Sequence, residues 1–214
     1  MSEDIEIINQ NTKIEKFKNF FSNNLRKIII VLILILLFIF SYFAYQEYEK
    51  LQKKEIAKQY NQISLKNITT ENINEIQKLV EIIKKKDPVY SALSLNFIIE
   101  NNLVDENNDV NSFFDIVIKS QKDKEIRNLI IYKKALYNSE IASENELLEI
   151  LNPLLKSESV WKPHALLLMS DYFANKNNLI KSKEFLEEIV NSKIIINNDI
   201  KIEAERRLKR DFSD

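Results

Sequence analysis

Apolar residues follow two patterns along the 214 residues of the chain. Between Ile28 and Tyr45 they are almost unbroken: IIIVLILILLFIFSYFAY holds eighteen residues without a charge, Gly or Pro. At about 1.5 Å rise per residue this run is roughly 27 Å long as a helix, close to the roughly 30 Å of a bilayer's hydrocarbon, and it predicts one membrane crossing. Further on, apolar residues recur three and four apart, the spacing of one helix face. Gln46 to Ile63 contains no breaker and predicts a stalk that continues the first helix. Thr70 has the chemistry of an N-cap ahead of Ile73, Ile76, Val80 and Ile83, with Lys84 to Lys86 at the negative end of that helix. Asp87-Pro88 opens a helix to about Asn101, and a partner spans about Val110 to Ser120. Asp123 caps the next, whose buried stripe is expected to be Ile126, Leu129, Ile130, Leu136 and Tyr137. Ser143 and Glu146 have the spacing of a capping box before Leu147, Leu148, Leu151, Leu154 and Leu155, and Pro153 predicts a kink near Ile150 or an early end. Three more helices are expected at roughly 160–175, 179–190 and 199–210.

The pattern therefore predicts an all-α chain: a leader over 1–24, a transmembrane helix over 25–45, a helical stalk over 46–68, and an array of antiparallel helical hairpins over 69–214. The leader has a weak amphipathic stretch, Ile14, Phe17, Phe20 and Phe21, which suits either a surface-lying helix or a loose tail.

Composition sharpens this picture by exclusion. Gly and Cys are absent and Pro occurs three times. Without Gly, phosphate-cradling loops and dinucleotide fingerprints lack the residue that lets backbone approach a ligand, and tight hairpins lose their preferred residue. Left-handed positions at helix ends then fall to Asn, and Asn101-Asn102, Asn107-Asn108, Asn177-Asn178 and Asn197-Asn198 lie between apolar-periodic segments. Without Cys there are no disulfides, thiolate nucleophiles or Cys zinc sites. The formal net charge of −1 offers no basic excess for nucleic acid.

Charge instead bears on topology. A cleaved signal peptide competes with an anchor, but a signal wants small residues at its exit, and this exit holds Tyr42, Phe43 and Tyr45 around one Ala. Those rings suit an interfacial belt, with Tyr42 and Tyr45 at headgroup level. The leader carries Lys13, Lys16, Lys18, Arg26 and Lys27, against Lys50, Lys53, Lys54 and Lys58 beyond the exit. Arg26 and Lys27 touch the apolar run, so the positive-inside rule favours a cytoplasmic amino terminus and an array on the far side.

Within the array, Leu166 to Val190 has the pattern of a tetratricopeptide repeat, in which small residues allow two helices to cross and bulky ones pack beside them. With Asn177-Asn178 as the turn, Ser170 and Ser182 take the small positions, while Phe173, Leu186 and Ile189 take the large and packing positions. The pairs around Tyr90 to Ile118 and Asp123 to Leu155 carry it more faintly. Together, the charged leader, the anchor leaving through Tyr42, Phe43 and Tyr45, the stalk and the degenerate helices resemble the bacterial family of ancillary Sec translocon subunits. Glu125-Ile126-Arg127-Asn128-Leu129, Leu151-Asn152-Pro153-Leu154-Leu155 and Val160-Trp161-Lys162-Pro163-His164-Ala165 look like segments of its alphaproteobacterial members. The chain departs from the family in lacking Gly at the repeat turns and in having few Ala. The resemblance implies an inner-membrane protein with a periplasmic domain, associated with the translocon, periplasmic chaperones or secreted clients.

Candidate chemistry is sparse. His164, the sole histidine, stands near Trp161 in a first helical turn without the partners that metal binding or acid–base catalysis needs, and a packing role is the simpler reading. Trp161 is expected to seal the seam between two hairpins. Glu203 with Arg207, and Glu205 with Lys209, read as ordinary exposed pairs four apart. Glu144, Glu146 and Glu149 crowd one helix start, which the dipole accounts for without a cation. No catalytic residue, cofactor or metal is expected, and the function read from the residues is protein binding by a tethered scaffold. The alternative is a structural membrane protein that self-associates through stalk and repeat domain, hinted at by the spacing of Tyr48, Leu51 and Glu55.

Overall fold

The structure, a computed structural model, describes residues 2–104, 107–192 and 198–212, with side chains up to residue 22 described only at 16, 18–20 and 22 itself, and those of 107, 108 and 198 left out. Of the apolar leader stretch, Ile14, Phe17 and Phe21 therefore lie outside the described side chains, and Asn197 lies outside the described residues. Among the described residues the secondary structure is helical: α1 (Ser2–Ser64), α2 (Ile73–Lys84), α3 (Tyr90–Glu100), α4 (Asn107–Ser120), α5 (Lys124–Asn138), α6 (Glu144–Leu155), α7 (Lys162–Asn175), α8 (Leu179–Asn191) and α9 (Asn198–Phe212).

The chain divides into two compact units, Met1–Glu55 and Ile56–Asp214. The first holds α1 as far as Glu55, and the side chains of its apolar run face away from protein: Leu34 is 60% and Phe38 77% exposed. The stretch Ser22–Ser64 is long and apolar enough to cross a membrane.

In the second unit each helix from α2 onward packs on the next, and α2 also meets α4, α5 meets α7, and α7 meets α9. Three apolar clusters follow that order. The first joins Ile63 and Ile68 to α2, α3 and α4 around Phe114, the second fills the space among α5, α6 and α7, and the third lies among α7, α8 and α9. The last turns of α1 belong to this unit: Ile63, 3% exposed, is part of the first cluster, and Ile56 is 5% exposed. Tyr60 there meets Tyr90 with ring centroids 5.9 Å apart.

Local chemistry sets the helix ends. Asp123 Oδ1 accepts from the Ile126 amide at 2.9 Å, and Ser143 and Glu146 form a capping box, Glu146 Oε2 accepting from the Ser143 amide at 2.8 Å. At the end of α3 the Leu103 amide donates to the Ile98 carbonyl and the Asn102 amide to that of Ile99; at the end of α7 Asn178 and Asn177 donate in the same way to Phe173 and Ala174. These are Schellman closures, which require a left-handed residue, and Asn102 (φ 49°) and Asn177 (φ 58°) supply it in a chain without Gly. Lys86 is a third left-handed residue, at φ 58°.

Some boundaries and one buried face differ from those read in the pattern. On α5, Ile126 and Leu136 are exposed, and the buried apolar residues are Ile130, Ile131 and Ala135, turned toward the neighbouring helices. The N-cap of α2 is Asn72 and not Thr70, and its side chain is turned back to accept from the Thr69 amide and hydroxyl at 2.9 and 3.2 Å. Asp87 Oδ1 does accept from Val89 and Tyr90 amides, at 2.9 and 2.8 Å, but Pro88 and Val89 form a turn and regular helix begins at Tyr90. Asn107 and Asn108 open α4 instead of linking helices, with Asp109 in the first turn where the dipole favours a carboxylate. Helix α6 stops two residues past Pro153, whose missing N–H deprives the Glu149 carbonyl of its donor four residues on.

Candidate functional site

Ser170 on α7 and Ser182 on α8 face each other where the two helices cross, their Oγ atoms 2.9 Å apart, with Ser170 1% and Ser182 3% exposed. A hydroxyl is small enough for the helices to approach, and each satisfies the other away from water. Beside this crossing Phe173 stacks on Phe185, centroids 5.6 Å apart and rings 12° from parallel. Phe173 belongs to the α5–α6–α7 cluster, whereas Leu186 and Ile189 lie with Leu166, Ile200 and Ala204 in the α7–α8–α9 cluster, so α7 is shared by both.

Trp161, at the N-cap of α7, stacks on Tyr132 of α5 at 5.9 Å and lies 5.0 Å from the His164 ring. The indole, phenol and imidazole together fill the junction of α5 with α7. Nδ1 of His164 is buried without a hydrogen-bond partner. Burial pushes the imidazole pKa below its ordinary value, and the Val160 backbone opposes that shift. No group of three His, Cys, Asp or Glu among the described residues is placed to hold a metal.

On α1, Arg26, Lys27, Tyr42 and Tyr45 are exposed, and Gln46 Nε2 donates to the Tyr42 hydroxyl at 2.8 Å.

Several charged residues do more than decorate a helix. Arg207 is not an ordinary exposed pair with Glu203: its Nε is 2.6 Å from Glu203 Oε1, and Nη1 also pairs with Asp171 of α7. The contact of α7 with α9 places Asp171 within reach, a long-range neighbour that four-residue spacing alone does not reveal. Glu144 likewise pairs with Lys181 of α8 at 2.6 Å, and the same ammonium lies 4.8 Å from the Phe173 ring centroid.

A groove of about 960 Å³ opens along α5 between α4 and α6. Both helices pack on α5, and among the described residues their backbones make no close approach to each other. Ile118, Ile131, Ile150 and Pro153 give it an apolar lining. Asn111 and Asn138 close part of it with reciprocal amide bonds of 2.9 and 2.8 Å, and Lys134 pairs with Asp115 at 2.6 Å. Glu146 and Glu149 stand on the α6 side. The sequence pattern does not single out this groove, because it is made by three helices together. Its one local trace is Asn138, a buried amide at the end of an apolar stripe.

No curated protein and no solved structure matches the chain. A family model described as a tetratricopeptide repeat-like domain matches residues 18–152, from before the apolar run to within α6. The match spans more than half of the 214 residues, and with the sequential helix packing it establishes that the chain belongs to the tetratricopeptide repeat-like domain family.

Proposed function

We propose that this chain is a membrane-anchored, protein-binding scaffold, held by one span in a bacterial inner membrane with its helical array in the periplasm, working beside the Sec translocon and periplasmic chaperones. The observation that carries the reading is the combination, in one chain, of an exposed apolar helix of spanning length with a stacked helical array of the repeat family. Such arrays bind proteins by presenting a continuous surface of side chains from neighbouring helices, and repeat folds of this kind are binding scaffolds more often than catalysts. A single tether raises the local concentration of that surface near membrane machinery without any new contact. Arg26 and Lys27 beside the apolar run support the orientation through the positive-inside rule, and the residue stretches that resemble ancillary translocon subunits support the partner class.

Two measurements test this. A reporter enzyme active only in the periplasm, fused after Asp214, is expected to be active, and an active amino-terminal fusion beside an inactive carboxy-terminal one would reverse the orientation. Crosslinking in intact membranes is expected to recover translocon subunits or secreted clients. Recovery of self-crosslinks alone would favour the structural alternative, self-association through the stalk and array.

A further inference from the structure

We propose that the groove between α4 and α6 is a docking site for an amphipathic helical segment of a partner protein, one that carries Lys or Arg beside an apolar stripe. This deepens the scaffold reading and rests on it, by assigning the surface and the chemistry of the occupant. Three observations carry it. The first is shape: α4 and α6 both pack on α5 with no close backbone approach to each other among the described residues, and the α5 residues Ile131 and Lys134 line an open trough of about 960 Å³. A helix laid in such a trough buries its apolar face in ridges and grooves already present on its neighbours.

The second is the lining. Ile118 and Ile150 on the walls and Ile131 on the floor are apolar and placed by three different helices, which is what an i, i+3, i+4 stripe meets in a groove.

The third is charge. Lys134 is committed to Asp115, which leaves the carboxylates of Glu146 and Glu149 as the net charge of the groove. Glu146 is held ionised by the Ser143 hydroxyl and amide, which draw its pKa below the usual carboxylate range. Glu149 is exposed and lines the same edge, so its carboxylate adds a second acceptor there. An ammonium or guanidinium beside the apolar stripe meets both acceptors, and an acidic segment meets like charge.

The test uses the full chain in nanodiscs of zwitterionic lipid, with empty nanodiscs subtracted. The probe is a fluorescein-labelled helical peptide of Leu and Lys, with Leu at i, i+3, i+4 and i+7 and a photoreactive group at one Leu, beside a twin in which every Lys is Glu. The Lys peptide is expected to bind at least about fivefold more tightly than its twin and to crosslink to α4, α5 and α6 residues. Glu149→Lys, on an exposed position, is expected to weaken it roughly fivefold while the thermal melt stays unchanged. Equal binding of the two peptides, or crosslinks confined to α7 and α9, would overturn the assignment and leave the scaffold reading standing. Crosslinks between two copies that the Lys peptide does not compete away would overturn it in favour of a second copy as occupant. Failure to find translocon neighbours in membranes, with the peptide result intact, would instead remove the partner class and keep the groove.

Discussion

The buried pair at the α7–α8 crossing lends itself to a double-mutant cycle. Ser170→Ala removes one hydroxyl and leaves Ser182 Oγ, 3% exposed by residue, without the partner it has at 2.9 Å; Ser182→Ala does the converse. A buried hydroxyl stripped of its partner costs about 1–3 kcal/mol, whereas removing both hydroxyls leaves two methyl groups in an apolar crossing and is close to neutral. Each single variant is thus expected to lose about 1–2 kcal/mol, the double variant well under the sum, with a coupling of about 1–2 kcal/mol. At about 2–4 °C per kcal/mol for a domain of this size, the single variants are expected to melt a few degrees below the parent and the double variant close to it. Urea unfolding of the full chain in mild detergent, followed by far-ultraviolet circular dichroism and by the fluorescence of the single Trp, measures all four corners. Single variants within about 0.3 kcal/mol of the parent, or a double variant that equals their sum, would show that the hydroxyls are satisfied elsewhere, for instance by the carbonyls four residues back.

Other features make equally specific demands. The folded-state pKa of His164 is depressed, so its contribution is complete above the ordinary imidazole value of about 6.5 and is lost as pH falls from there through the folded value. Stability is therefore expected to fall as pH drops below about 6.5, and His164→Phe, which keeps an aromatic beside Trp161 and Tyr132, is expected to flatten that slope in melts at successively lower pH; an unchanged slope would refute the assignment. Asp171→Asn removes the carboxylate that Arg207 reaches across from α9 and is expected to cost about 0.5–1 kcal/mol by urea midpoint, with faster amide exchange in α9. Asn177→Ala puts a Cβ-bearing residue with no local side-chain bond at φ 58° and is expected to cost about 1 kcal/mol, while Asn177→Gly is expected to hold the parent midpoint.

Helix identity was legible wherever a local signal decided it. The Asp123 cap and the Ser143–Glu146 box are set by residues three apart, and the left-handed Asn102 and Asn177 follow from a chain with no Gly to spend on helix ends. Boundaries slipped where a residue type suits more than one position. Asn72 holds the N-cap position of α2 while its side chain serves the turn before it, and Asn107, a turn residue by type, begins α4. Ser170 and Ser182 stand out in sequence because small residues interrupt bulky ones on facing helices. Arg207 with Asp171, and Glu144 with Lys181, join residues 36 and 37 apart, and nothing in a helical repeat of three and four announces such partners. The groove was illegible for the same reason: it exists only because α4 and α6 stay apart over α5.

The burial of Ile56 and Ile63 decides where the array can be cut free for solution work. Both lie on α1, yet they are 5% and 3% exposed and Ile63 is part of the first apolar cluster. Withdrawing each such side chain forfeits about 1.5–3 kcal/mol, so losing the pair takes a large share of the roughly 5–15 kcal/mol that holds a domain together. A fragment beginning at residue 69 is thus expected to expose the faces of α2 and α3 and to aggregate, whereas one beginning at Ile56 keeps its plug. The same turns of helix that lead out of the apolar run are, for the array, its first structural stave.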